Sequence, residues 1–278
     1  MHWIDNRGAL LLLAALLSGV CVLISTLESI RLLSHFRDDG IFSWVAASAR
    51  SKHTCNGTLG KFCRVLYGYP NFIFLLSLRV VCIFGLFLNA SNYFAAGLIC
   101  LLIGVTSILI NMRGRLGGNG ADQIASNTII VAGIALCIDS KFVQGCALVF
   151  LAIQVALAYA TPSWLRVFQS SWWTGEDLML IIRSQSYGNR HLWRFMVERR
   201  KFTIITSFIV IAFESLFPFS LFLPFPYVII FLIFGFLFHL MNSFIMGLNT
   251  FTWAFLAGYA PCLWLSHWIN QEFYSSLR

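Results

Sequence analysis

The chain has 278 residues, 59% of them hydrophobic and only 11% charged, with 27 phenylalanines and a net charge of +8; its mean hydropathy is +0.79. A soluble domain of this size would not have that composition, which is that of an all-α polytopic membrane protein with nearly all of its length in the bilayer. The positive charge falls between the apolar runs, as in loops that meet lipid headgroups, and no basic–aromatic module or zinc spacing points to nucleic acid.

In chain order, the first apolar run, Gly8 to Ser25, is followed by Thr26-Leu27-Glu28 rather than a small-residue cleavage site, so it reads as a retained span. Ser29 to Phe36 can continue as an amphipathic helix along the interface until Asp38-Asp39-Gly40 turns the chain. Ile41 to Val45 is a short aromatic anchor. Further spans are expected over 71–89, 93–110, 124–138 and 142–160, the last ended by Thr161-Pro162. The polar turn 111–123 is rich in glycine, and Asn119 or Asp122 caps the helix after it. Thr174 with Asp177 reads as a capped start to a second interfacial helix carrying Leu178, Met179, Ile181 and Ile182 on one side. A basic cluster, Arg190 to Lys201, precedes the last three spans, at 203–222, 226–246 and 250–268.

The total is about eight transmembrane helices plus one or two interfacial amphipathic helices. Loops 28–70, 111–123 and 161–202 hold fifteen of the nineteen Lys and Arg residues, which by the positive-inside bias puts them in the cytoplasm and both termini outside. Most cysteines lie in apolar runs as small buried hydrophobes. Cys55 and Cys63 share a polar loop and pair only if it faces an oxidising compartment.

Three ionisable residues fall inside expected spans: Arg79, Glu214 and His239. A lone charge in hydrocarbon costs at least about 2.5 kcal/mol, so such groups turn inward and find partners. A salt bridge between Arg79 and Glu214 would relieve two of these costs together. His239, Asn242 and Ser243 stand at i, i+3 and i+4 and share one helix face, either packing against a neighbouring helix or lining a polar pocket. In the second case His239 and Glu214 are the catalytic candidates, as groups able to move a proton. Asn242, Ser243, Arg79, Trp172 and Asp122 are the substrate-binding candidates. No H-E-x-x-H, G-x-S-x-G, P-loop or C-x-x-C occurs, and no metal site is expected, because His239 has no second ligand at ligand spacing on its helix.

Four segments carry a resemblance: Ser25-Thr26-Leu27-Glu28 to Phe36 followed by Asp39-Gly40-Ile41-Phe42-Ser43-Trp44, Gly120-Ala121-Asp122-Gln123, Trp172-Trp173-Thr174-Gly175 and Phe238-His239-Leu240-Met241-Asn242-Ser243. In that order the chain resembles the HTTM (horizontally transferred transmembrane) domain, the membrane part of the vitamin K-dependent gamma-carboxylase and its bacterial relatives. The resemblance implies a single transmembrane domain over 1–278, in a multi-pass protein of a bacterial cell membrane. It implies a quinone cofactor only by analogy with the carboxylase. The carboxylase's base is a lysine shortly before its W-x-x-G; here that stretch holds only Arg166, whose guanidinium stays protonated. The carboxylase's lumenal domain has no counterpart in this sequence. The compact size resembles the sporulation-delaying-protein B type, which implies a role in maturing or exporting a secreted peptide, with a peptide precursor and a soluble protein as partners beside the bilayer. Two alternatives stand beside it: a non-enzymatic scaffold, immunity or transport component, and a quinone- or lipid-modifying enzyme.

Overall fold

The structure, a computed structural model, describes residues 4–49, 57–114 and 119–276. Among the described residues every regular element is helical. In order these are α1 (Arg7–Arg31), a 3-10 turn (Leu33–Phe36), α2 (Trp44–Ala49), α3 (Gly57–Tyr67), α4 (Asn71–Leu88), α5 (Tyr93–Gly114), α6 (Gly120–Cys137), α7 (Lys141–Val167), α8 (Ser170–Trp173), α9 (Glu176–Arg183), α10 (Arg190–Glu198), α11 (Arg200–Ser220), α12 (Tyr227–Met246) and α13 (Asn249–Ser276). Seven of them, α1, α4 to α7, α11 and α12, are long and apolar enough to cross a membrane. The expected eighth span lies in α13, which is 28 residues long but outside that set. Its polar side chains explain this: Thr250, Thr252, Tyr259 and Ser266, all buried, lower its mean hydropathy.

The chain forms two compact units, Arg7–Ala147 and Leu148–Arg278 with Met1–Asn6. In the first, α1 packs on α4 and α6, and α5 packs on both α4 and α6. Each spanning helix has a buried stripe and a lipid-type stripe. On α4, Phe72, Leu75, Leu76, Arg79, Cys82, Ile83 and Leu86 are buried, whereas Phe74, Leu78, Val81, Phe84 and Leu88 are exposed. Both stripes are apolar because hydrocarbon, unlike water, rewards an apolar exterior.

Small residues set the distance between α5 and α6. A Cβ on Gly97 would lie 2.9 Å from both Cys137 N and Gly133 O, and a Cβ on Gly133 would lie 2.9 Å from Cys100 Cβ. Backbones this close gain dispersion contact that lipid cannot supply, which is why membrane helix interfaces favour small side chains. At the end of α5, Arg113 is buried rather than part of the polar turn. Its Nε donates to Tyr67 O (3.1 Å), its Nη2 donates to Phe42 O (3.0 Å), and its guanidinium lies over Phe36 and Phe72. It pins the short interfacial elements α2 and α3 to the spans. Cys63 packs as a free buried thiol with Tyr67, Phe72, Leu75 and Leu76; Cys55, the other half of the candidate disulfide, lies outside the described residues.

Two local expectations are corrected. Pro162 does not end the fifth span: α7 continues through it to Val167, because the side chains beyond the proline have partners on α11. Thr174 does not cap α9. Gly175 occupies that position with φ of 75°, a conformation a side chain disfavours, and Asp177 accepts instead from the Ser171 hydroxyl. Asn119 does cap α6, accepting from Ala121 N.

The close α5–α6 approach makes a measurable statement. Gly97→Ala should destabilise the purified protein in detergent by about 1–3 kcal/mol through overpacking, seen as a lower midpoint of thermal unfolding. Gly120→Ala, whose Cβ would meet nothing within 4 Å, should be neutral.

Candidate functional site

In the second unit, helix periodicity decides which polar groups meet. On α12 the buried positions are Val228, Leu232, Gly235 and His239, while Ile230, Ile233, Phe234, Leu237, Met241 and Phe244 are exposed. His239, 4% exposed, is therefore turned into the unit. On α7, Tyr159, Ser163 and Arg166 follow at spacings of four and three and so share one face. That face carries three successive contacts.

At its first level, His239 Nε2 and the Tyr159 hydroxyl are 2.9 Å apart, and the Tyr159 and Tyr259 hydroxyls are 2.7 Å apart. The imidazole stacks on Phe255 with ring centroids 3.8 Å apart and meets Phe238 edge-on. Tyr159 is in turn packed against Phe217 and Phe213. Thr252 Oγ1 donates to the backbone carbonyl of His239 (3.1 Å), tying α13 to α12 at the same height. The other ring nitrogen, Nδ1, is buried and has no hydrogen-bond partner among the described residues. Gly235, one turn before His239, makes the arrangement possible: a Cβ there would lie 2.5 Å from the Tyr259 hydroxyl and 2.9 Å from that of Tyr159.

One turn along, Ser163 donates to Ile211 O (2.9 Å) and lies 2.8 Å from Ser215 Oγ. At the third level Arg166 forms an ion pair with Glu214, which is 6% exposed. The Arg166 guanidinium also lies 4.5 Å from the Trp172 ring. Trp172 is held from behind, its carbonyl accepting from Ser207 (2.6 Å). Glu214 thus has Arg166 as its partner, where the sequence had suggested Arg79. A stretch that looked like a loop after a proline supplied the counter-ion.

The remaining candidates are distributed. Ser243 donates to Asn249 Oδ1 (2.7 Å) across the α12–α13 corner, beside Gly247 at φ 72°, and Asn242 is half-buried. The triplet at 239, 242 and 243 therefore splits, with the imidazole inside the unit and the serine at the corner. Arg79 and Asp122 belong to the first unit, Arg79 buried and Asp122 half-buried. Among the described residues no group of three or more His, Cys, Asp or Glu could hold a metal ion. Tyr159, Tyr259 and Gly235 were the residues that charge-based reading of the sequence missed; the available signal was two tyrosines and a glycine inside otherwise aliphatic and phenylalanine-rich runs. No family model, curated protein or solved structure matches the chain.

This geometry orders the cost of single changes. Tyr159→Phe removes a hydroxyl with two partners and leaves the imidazole without a hydrogen bond, so it should destabilise by about 1–3 kcal/mol, more than Tyr259→Phe. Arg166→Leu strands a buried carboxylate and should cost about 3–5 kcal/mol, most of it recovered in the Arg166→Leu/Glu214→Leu double variant. Thermal unfolding of the four proteins in one detergent compares them directly.

Proposed function

We propose that this protein is a multi-pass bacterial membrane protein of the HTTM type that assists the maturation of a secreted peptide, with the His239–Tyr159–Tyr259 relay as its working site. The motif order described in the sequence supports the family reading. The observation that carries the site is a buried imidazole held through Nε2 by a hydrogen-bonded pair of tyrosines, with Nδ1 left unpaired. With Nε2 carrying the ring proton and donating to the Tyr159 oxygen, whose own O–H donates to Tyr259, Nδ1 is the nitrogen left to take a proton from substrate, and the imidazolium holds that proton until it is returned to product. The reverse sequence makes it an acid. Glu214 contributes by position, holding Arg166 against Trp172 at the far end of the same α7 face.

The carboxylase's own chemistry fits poorly. Arg166, which occupies the stretch where that enzyme has its lysine, is committed to Glu214 and to Trp172, and a guanidinium does not serve as a base. No quinone step is therefore assigned to this site. A non-enzymatic reading draws on a different observation: Ser163–Ser215, Arg166–Glu214 and Tyr159–Tyr259 all join two helices, as polar glue in a membrane bundle does.

The two readings separate in one experiment. With a candidate secreted peptide precursor as substrate, His239→Ala should abolish the mass change of the peptide while leaving membrane abundance normal, and Tyr259→Phe should slow it. Unchanged peptide mass with wild-type protein, accompanied by binding, favours the scaffold. Normal maturation by His239→Ala removes the relay from the mechanism.

A further inference from the structure

The first unit contains an unfinished polar cluster that the relay does not use. Arg79 is 4% exposed, in the middle of α4, and its Nε and Nη2 are buried with no hydrogen-bond partner among the described residues. Asp122, in the first turn of α6, is the acidic group within electrostatic reach of it, and the buried Cys21 thiol on α1 is nearby. Among the described residues Asp122 and Arg79 nevertheless form no ion pair. On α1, Ser18, Cys21, Ser25 and Glu28 follow at spacings of three, four and three, which is one continuous stripe. Ser18 Oγ is likewise buried and unpartnered. Glu28, exposed near the end of α1, is within electrostatic reach of both Asp122 and Arg31.

The cluster therefore runs from the end of α1 inward as Arg31, Glu28, Asp122 and Arg79. Its formal charges cancel, so a bare anion or a bare cation would leave it with an unbalanced charge in a poorly solvating place. The unmet donors at the deep end require oxygen acceptors, and a guanidinium suits the two oxygens of a carboxylate or phosphate. The carboxylates toward the end of α1 suit N–H donors. A guanidinium and a carboxylate close enough to act on one another but not in contact form a fixed dipole, best matched by a ligand carrying the opposite dipole.

We propose that Arg79, Asp122 and the α1 stripe bind a net-neutral zwitterion, its oxyanion on the Arg79 guanidinium and its primary ammonium on the Asp122 and Glu28 carboxylates. An aminophospholipid headgroup and a free amino acid share this chemistry. The headgroup has the matching polarity, with phosphate nearer the hydrocarbon and ammonium nearer water.

The test uses the delipidated full-length chain in detergent, with thermal unfolding and native mass spectrometry as readouts. Dioleoyl phosphatidylethanolamine should raise the unfolding midpoint and stay bound. Phosphatidylglycerol, which lacks the ammonium, and phosphatidylcholine, whose nitrogen has no N–H, should bind at least tenfold more weakly. Arg79→Gln and Asp122→Asn should each erase the preference for phosphatidylethanolamine, and Arg79→Lys should weaken it. A midpoint shift with millimolar alanine, lost in the same variants, assigns the site to a free amino acid rather than a lipid. Equal binding of the three lipids by the unmutated chain, with no response to alanine, overturns the proposal whether or not the variants accumulate. So does a phosphatidylethanolamine preference that survives in folded Arg79→Gln.

Discussion

The second unit depends on the rule that a polar group taken out of water must be met by another. The Tyr159 hydroxyl is where that rule binds hardest. It is the single oxygen shared by an imidazole on α12 and a phenol on α13, and it stands on a third helix. Three helices are thus registered by two hydrogen bonds, and hydrocarbon outside the bundle offers none of these groups a substitute partner. Gly235 completes the arrangement by omission, since any side chain there would occupy the space of the two hydroxyls.

The same rule governs the rest of the α7 face. Ser163 and Arg166 reach α11 only because the helix continues past Pro162, and their contacts with Ile211, Ser215 and Glu214 offset the backbone hydrogen bond the proline removes. Where the rule is left unmet, as at His239 Nδ1 and at Arg79 Nε and Nη2, the fold has donors or acceptors available to a molecule other than itself.

Much of this was legible in the residues. The spans at 71–89 and 226–246 match α4 and α12 closely, since each is bounded by proline at one end and by Asn or Gly at the other. That Glu214 and His239 would be inward-facing followed from the cost of a charge or an imidazole in lipid. The partners were not legible. Spacing puts Gly235 and His239 on one face of α12, but with both faces apolar it could not show that this face meets Tyr159 and Tyr259. A local proline rule ended the fifth span too early and hid Arg166 in a loop, which left Arg79 as the apparent counter-ion for Glu214. Tyrosine, weighed as an aromatic rather than as a hydroxyl, dropped out of the list of polar groups.

Proline recurs inside three of the four helices that bring groups to this face and to His239: Pro162 in α7, Pro218 in α11 and Pro261 in α13, with α12 the exception. Each lies two to four residues after a side chain paired across helices, Tyr159, Glu214 and Tyr259 respectively. Each withdraws the amide that would have closed on the carbonyl four residues back, at Ala158, Glu214 and Ala257. The backbone thus lacks a helix hydrogen bond at the heights where the side chains are most tightly tied. Parting the tyrosines from the imidazole would ask these helices to bend where a backbone hydrogen bond is already missing.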